Sequence, residues 1–404
     1  MGNVSLHIGH IALVVVGILG GLTLEGSKDA RADLWSPGIQ LGMRFDDSGL
    51  AAPGEGGKWI GDITPLLLLE RPGPLTSWDI RAERRYDTQE SGTLRFNHDV
   101  ASGRIRSEMG ENTAASLEGW YFRSQDLLNP DPEAQLAPTT MTRARGSASL
   151  ETWRGEAGYD IENVSHTASG SADGRSQSWN ATLFPFRSEL TRWLIGFRRE
   201  EWAVAGDVEL TTSVGTVGMR RQHSPWLSSE LEVGVARVAD DLVGSPRQEL
   251  AVVAGVNGFG RMLGLPFDAR VRIERAVETT GLAEIWRPMA GARVGLKWER
   301  SLQSVGGAIA EVARRDFVTL SAQDTLGEHS IVSLEGSYRL ASSRVGSGDQ
   351  LETWRGMATV SRDLRSWLRG QVRYSTAQQS GSGAIAPSRF ESSRVELSLT
   401  AVYQ

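Results

Sequence analysis

The segment Gly255-Val256-Asn257-Gly258-Phe259-Gly260-Arg261 comes closest to a nucleotide-binding loop. A dinucleotide fingerprint needs glycines spaced G-x-G-x-x-G at the opening of a helix, where backbone N–H groups close on a pyrophosphate. Gly258 and Gly260 satisfy the first two positions, but Leu263 occupies the third and Gly264 falls one place late. No helical period follows, so the segment reads as a glycine-rich strand end and no cofactor is expected. Three serines stand next to histidines, in Ser165-His166, His223-Ser224 and His329-Ser330. A serine hydrolase needs the hydroxyl bonded to an imidazole that a third group orients. Adjacent residues on a strand point to opposite faces, so none of these pairs makes a dyad alone. With His7, His10 and His98 the histidines are scattered and show no H-x-x-x-H spacing, so no metal site is expected. The chain has no cysteine, which excludes a thiol nucleophile, a disulfide framework and a zinc-thiolate site. No catalytic residue emerges, and the chain reads as a protein without a chemical step.

The charged residues are more informative. Arg270, Arg272 and Glu274 alternate with Val271 and Ile273. Arg293, Gly295, Lys297 and Glu299 alternate with Ala292, Val294, Leu296 and Trp298, and Arg369, Gln371 and Arg373 with Leu368, Gly370, Val372 and Tyr374. Glu230, Glu232 and Glu335 occupy the same polar parity in their own segments. Period two is the signature of a strand with one apolar and one polar face. Burying unpaired charge is prohibitive, so the polar face must be wet or internally paired. Arg270, Arg272, Glu274, Arg293, Lys297, Glu299, Arg369 and Arg373 are therefore expected to line a lumen. Their mixed signs imply a wide pore with little ion preference.

Such faces need many strands. Alternating segments run from Gly38–Phe45 to Arg394–Tyr403, parted by short turns and by longer Gly-, Pro- or Ser-rich stretches at Ala51–Gly57, Asn129–Thr140 and Ser165–Ser178. They amount to about 18 strands, or about 16 if neighbouring segments merge, at roughly 20 residues per strand and connection. That spacing is too long for a compact sandwich and suits membrane strands. Two echoes indicate a repeated hairpin: Leu150-Glu-Thr-Trp-Arg-Gly155 recurs as Leu351-Glu-Thr-Trp-Arg-Gly356, and Trp78, Trp193, Trp226 and Trp367 each follow a turn. If those turns share a rim, the four tryptophans form half of an aromatic girdle. The fold class expected is all-β, a closed antiparallel transmembrane β-barrel, because closure alone removes the edges so many strands would expose.

The rest of the composition agrees. At 404 residues, 40% hydrophobic and 23% charged, the chain is too polar for a bundle of membrane helices. A net charge of −6 gives no electrostatic footprint for nucleic acid. Ile11–Leu24 is an apolar run of signal-peptide length, and Ala30-Arg31-Ala32 has small residues at cleavage spacing. The expected organisation is a signal peptide over 1–32 and one barrel domain over 33–404.

On these residues the chain resembles outer-membrane β-barrel proteins of Gram-negative bacteria, from about Leu34 to Gln404. Its terminal strand, with Val395, Leu397, Leu399, Ala401 and Tyr403 on one parity, resembles the strand read by the barrel-assembly machinery. The family usually ends on Phe or Trp, whereas this chain ends Tyr403-Gln404. The Trp- and Arg-rich composition is similar to that of barrels linked to exopolysaccharide export. The resemblance implies a place in the outer membrane, contact with its lipid, a porin-like conduit for polar solutes and, for the export subgroup, a periplasmic polysaccharide-export partner. Two other readings stay open: an outer-membrane enzyme or structural barrel with a plugged lumen, and a secreted β-sandwich that binds carbohydrate.

Overall fold

A computed structural model describes residues 34–48, 58–88, 94–110, 112–124, 141–166, 173–204, 207–241, 244–262, 265–275, 279–289, 292–304, 312–343, 349–382 and 390–402. The segment expected to be a signal peptide, the loop at Asn129–Thr140 and Tyr403 lie outside the described residues. The strands in chain order are β1 (Leu34–Ser48), β2 (Lys58–Arg71), β3 (Thr76–Thr88), β4 (Leu94–Gly110), β5 (Thr113–Ser124), β6 (Met141–Thr152) and β7 (Gly155–His166). They continue as β8 (Gly174–Leu183), β9 (Thr191–Val204), β10 (Asp207–Ser224), β11 (Leu227–Asp240), β12 (Gly244–Met262), β13 (Leu265–Arg275) and β14 (Thr279–Met289). The last six are β15 (Ala292–Ser304), β16 (Val312–Leu326), β17 (Ser330–Ser343), β18 (Gln350–Arg365), β19 (Leu368–Ser382) and β20 (Phe390–Val402).

Each strand pairs antiparallel with its neighbours in sequence, and β1 pairs with β20, from Gly38 opposite Val402 to Ser48 opposite Ser392. The sheet of 20 strands is thus closed. An even strand number brings both ends of the barrel domain to one rim, which also carries the tight turns at 72–75, 153–154, 225–226, 327–329 and 366–367. The other rim carries the connections at 49–57, 125–140 and 305–311. Gly327 closes the β16–β17 turn at φ +70°, a left-handed conformation that a side chain resists. Gly327→Ala is expected to cost about 1–2 kcal/mol, measured as a shift of the urea midpoint with unchanged slope.

The strand count corrects the expectation of about 18, because β6 and β14 leave little trace in the hydropathy. The outward parity of β6 is Thr142, Ala144, Gly146, Ala148 and Leu150, with a single large apolar residue. β14 is short, contains Gly281 and Pro288, and resembles a turn region. Both strands borrow their order from neighbours: β6 pairs along its length with β5 and β7, and β14 with β13 and β15. The stretch read as a loop at Ser165–Ser178 is likewise narrower, since β8 begins at Gly174.

The faces of the sheet are inverted relative to a water-soluble barrel. Large apolar side chains point out and stay exposed on adjoining strands: Leu41 on β1, Leu399 on β20, Val372 on β19, Leu334 on β17, Leu320 on β16 and Leu296 on β15. The belt continues through Ile273 on β13, Val256 on β12, Val233 on β11, Val217 on β10 and Phe197 on β9. A solvent-exposed apolar area of that extent marks an interaction surface. The opposite parity holds the buried polar residues, among them Arg44, Asp62, Arg85, Glu232, Glu274, Arg394 and Glu396.

Candidate functional site: the lumen

Among the described residues, two cavities inside the barrel share none of their lining residues. The larger, about 550 Å³, is bounded by β1–β5 and β16–β20. Among the described residues its charged lining is Arg81, Arg85, Arg339, Arg355, Arg373 and Arg394 against Glu83, Glu335 and Glu396, with His98 beside them. Six guanidiniums against three carboxylates leave this chamber basic. Its apolar wall is Trp120, Phe122 and Phe317. The Trp120 and Phe122 rings stack at 5.6 Å and 7°. Arg339 sits 5.4 Å from the centre of the Phe317 ring, near enough for a cation–π contact.

The wall of this chamber is braced at the seam where the barrel closes. Arg85 on β3 donates to Asp62 on β2 at 2.7 Å and reaches Glu396 on β20 at 3.1 Å, all three side chains being almost fully buried. Arg44 on β1 forks onto both carboxylate oxygens of Asp87, and the Asn97 amide donates to the same carboxylate at 2.7 Å. Arg373 lies 4.0 Å from Glu396. Paired in this way, charges can be held inside a barrel wall. Gly42 belongs to the same arrangement: a Cβ there would meet Asp62 Oδ2 at 2.5 Å, so a larger residue would have to displace the carboxylate that Arg85 holds.

The smaller cavity, about 350 Å³, is bounded by β9, β10 and β13–β15. Here the charged lining is nearer to balance, with Arg198, Arg272, Lys297 and Arg300 against Glu200, Glu274 and Glu299. Arg198 on β9 reaches across to β13 and forks onto both oxygens of Glu274. Lys297 pairs with Glu299 at 2.9 Å, and Arg272 with Glu230 at 2.9 Å.

The sequence-derived lumen residues divide three ways. Arg373 lines the larger cavity, while Arg272, Glu274, Lys297 and Glu299 line the smaller. Arg270, Arg293 and Arg369 line neither. Arg293 lies over the Trp286 ring at 4.4 Å, and Arg369 donates to Asp363 at 2.6 Å beside the 366–367 turn. Arg81, Arg85, Arg339, Arg355, Arg394 and Glu396, which dominate the larger chamber, are not among the sequence-derived lumen residues. The signal was present for Arg394 and Glu396, which alternate with Val395 and Leu397. Trp78, Trp193, Trp226 and Trp367 all fall at the rim of tight turns, with Trp193, Trp226 and Trp367 about half exposed.

The segment Gly255–Arg261 lies within β12, in extended backbone rather than at a strand-to-helix turn. His223 bonds Ser229 Oγ on the next strand at 2.7 Å, not the adjacent Ser224. The pair is at the surface, and among the described residues no carboxylate holds the other ring nitrogen.

No protein-family model matches the chain, and no curated protein matches it by sequence. Solved structures similar in shape include the siderophore receptor PirA from Pseudomonas aeruginosa, at 11% identity and TM-score 0.46 over 92% of this chain and 81% of that one. The outer membrane protein OpdK from Pseudomonas aeruginosa aligns at 10% identity and TM-score 0.39, over 92% of this chain and 99% of that one. A BenF-like porin from Pseudomonas fluorescens Pf-5 aligns at 9% identity and TM-score 0.41, over 91% and 99%.

Proposed function

We propose that this chain spans the bacterial outer membrane and conducts polar solutes through its lumen, with a preference for anions. The observation that carries the reading is the inversion of the barrel: a belt of exposed Leu, Val, Ile and Phe outside, and arginine-rich cavity walls inside. A closed sheet satisfies every backbone group between its strands, which is what a hydrocarbon environment demands. The outward parity turns polar toward the rim of longer connections, where Phe197 is followed by Arg199 and Glu201, paired at 2.5 Å. Trp78, Trp193, Trp226 and Trp367 serve as a girdle at the opposite boundary. The partners of this reading are membrane lipid and the barrel-assembly machinery, which would engage β20 through its Val395, Leu397, Leu399 and Ala401 face.

Export of a polysaccharide with a periplasmic partner is a narrower form of the same reading. One feature favours it: the larger chamber has aromatic lining at Trp120 and Phe317, against which the C–H face of a sugar can lie.

Charged rings set selectivity in pores, and the excess of arginine lies in the larger chamber rather than at Arg369. In planar-bilayer recordings under a salt gradient, Arg355→Gln with Arg373→Gln is expected to move the reversal potential toward cations. Arg369→Gln alone should move it little, because that guanidinium is exposed and held by Asp363. Unchanged selectivity in the double variant, at normal conductance, would reject the anion preference. A folded barrel that carries no current would reject the conduit.

A further inference from the structure

The wall of this barrel touches itself. β9 comes within packing distance of β15 and β16, and β8 within that of β15, although none of these strands are neighbours in the sheet. The contact is apolar and tightly closed. Trp202 and Val204 lie at the end of β9, Leu210 near the start of β10, Val238 near the end of β11, and Val312 opens β16; all are buried in one cluster, with Leu302 of β15 packed against it. Leu210 and Val312 have no exposed surface at all. The backbone N–H of Val312 donates to Glu209 Oε2 at 2.8 Å, so the bridge is also hydrogen-bonded. The Arg198–Glu274 fork adds an ionic tie across the smaller lobe, from β9 to β13. Trp202 and Leu302 of this seam line the smaller cavity, and none of the seam residues lines the larger one.

We propose that the seam of Trp202, Val204, Leu302 and Val312 is a permanent partition, and that solute passes only through the lobe walled by β1–β5 and β16–β20. This rests on the reading of the barrel as a conduit and adds the path. Aliphatic side chains without exposed surface would have to be rehydrated to open the seam, and that rehydration is unfavourable. The smaller lobe is left as a flank braced by ion pairs, and the larger surplus of arginine over carboxylate lines the lobe assigned to solute.

The absence of cysteine makes the test clean, since introduced thiols have no native background. Val204→Cys with Val312→Cys, on strands that pack across the lumen, should be joined as a disulfide when the barrel refolds from urea with oxidised glutathione as the oxidant, giving a faster band in non-reducing denaturing gels. Bridging should leave single-channel conductance unchanged. Separately, a membrane-impermeant methanethiosulfonate should cut the conductance of Gln371→Cys by about twofold or more, by narrowing the charged passage. The same reagent should leave Leu282→Cys, in the smaller cavity, unaffected. Failure of the bridge to form, loss of current on bridging, or equal block at both sites would each overturn the partition. If the unmodified barrel carries no current, the conduit reading fails, and the yield of the bridge still decides whether the seam exists.

Discussion

Replacing Arg85 by methionine is expected to lower folding stability by about 3–5 kcal/mol, the usual cost of leaving a buried charge without its partner. Arg85 is the common partner of Asp62 and Glu396, both almost fully buried, and it joins β3 to β20 across the strands where the barrel closes. Without it, two carboxylates lose their closest counter-charge in a place where water cannot easily replace it. Arg373, at 4.0 Å from Glu396, compensates only in part. The triple change Arg85→Met, Asp62→Leu and Glu396→Leu removes the charges together and should cost much less, because buried ion groups often break even against apolar replacements. Urea titrations of the barrel in lipid vesicles, followed by tryptophan fluorescence, separate the two results. If the triple variant is as unstable as the single one, the network is not acting as a set of mutually compensating charges.

A charge on the outer face should be nearly as damaging, and by a different mechanism. Leu296→Arg or Val372→Arg is expected to cost about 2–4 kcal/mol, the penalty for a guanidinium near the middle of a hydrocarbon layer. Both side chains are close to half exposed on the outward parity, Leu296 at 46% and Val372 at 48%, so neither substitution disturbs a packed core. The control is one residue away: Gln371 lines the larger cavity, and Gln371→Arg places the same charge among polar groups. That change should cost far less, though it adds a cation beside Arg373. The comparison must be made in lipid, where the outer face meets hydrocarbon. Equal losses from Val372→Arg and Gln371→Arg would contradict a one-sided membrane barrel.

The difference between those two neighbours is local, and for that reason the sequence alone determined it. Side-chain direction alternates with every residue of a strand, so Leu368, Val372 and Tyr374 declare one face and Arg369, Gln371 and Arg373 the other without any knowledge of their partners. The same logic reached the closed sheet, since so many half-apolar strands have no other way to hide their edges. It failed where a strand's identity comes from its neighbours. β6 presents mainly small residues outward and β14 is short and interrupted by Gly281 and Pro288, so their alternation is faint, and only pairing with β5, β7, β13 and β15 makes them strands.

What tertiary structure alone decided is the third dimension of the lumen. Parity assigns a residue to the inside but not to a height or to a lobe. Arg369 and Arg373 share a parity, yet one is held by Asp363 beside a turn and the other lines the basic chamber. Arg85 meets Glu396 more than 300 positions away only because β1 and β20 close the barrel. Trp202 and Val312 meet only because the wall folds inward. Contacts of that kind depend on the curvature of the whole sheet, and no spacing within one strand encodes them.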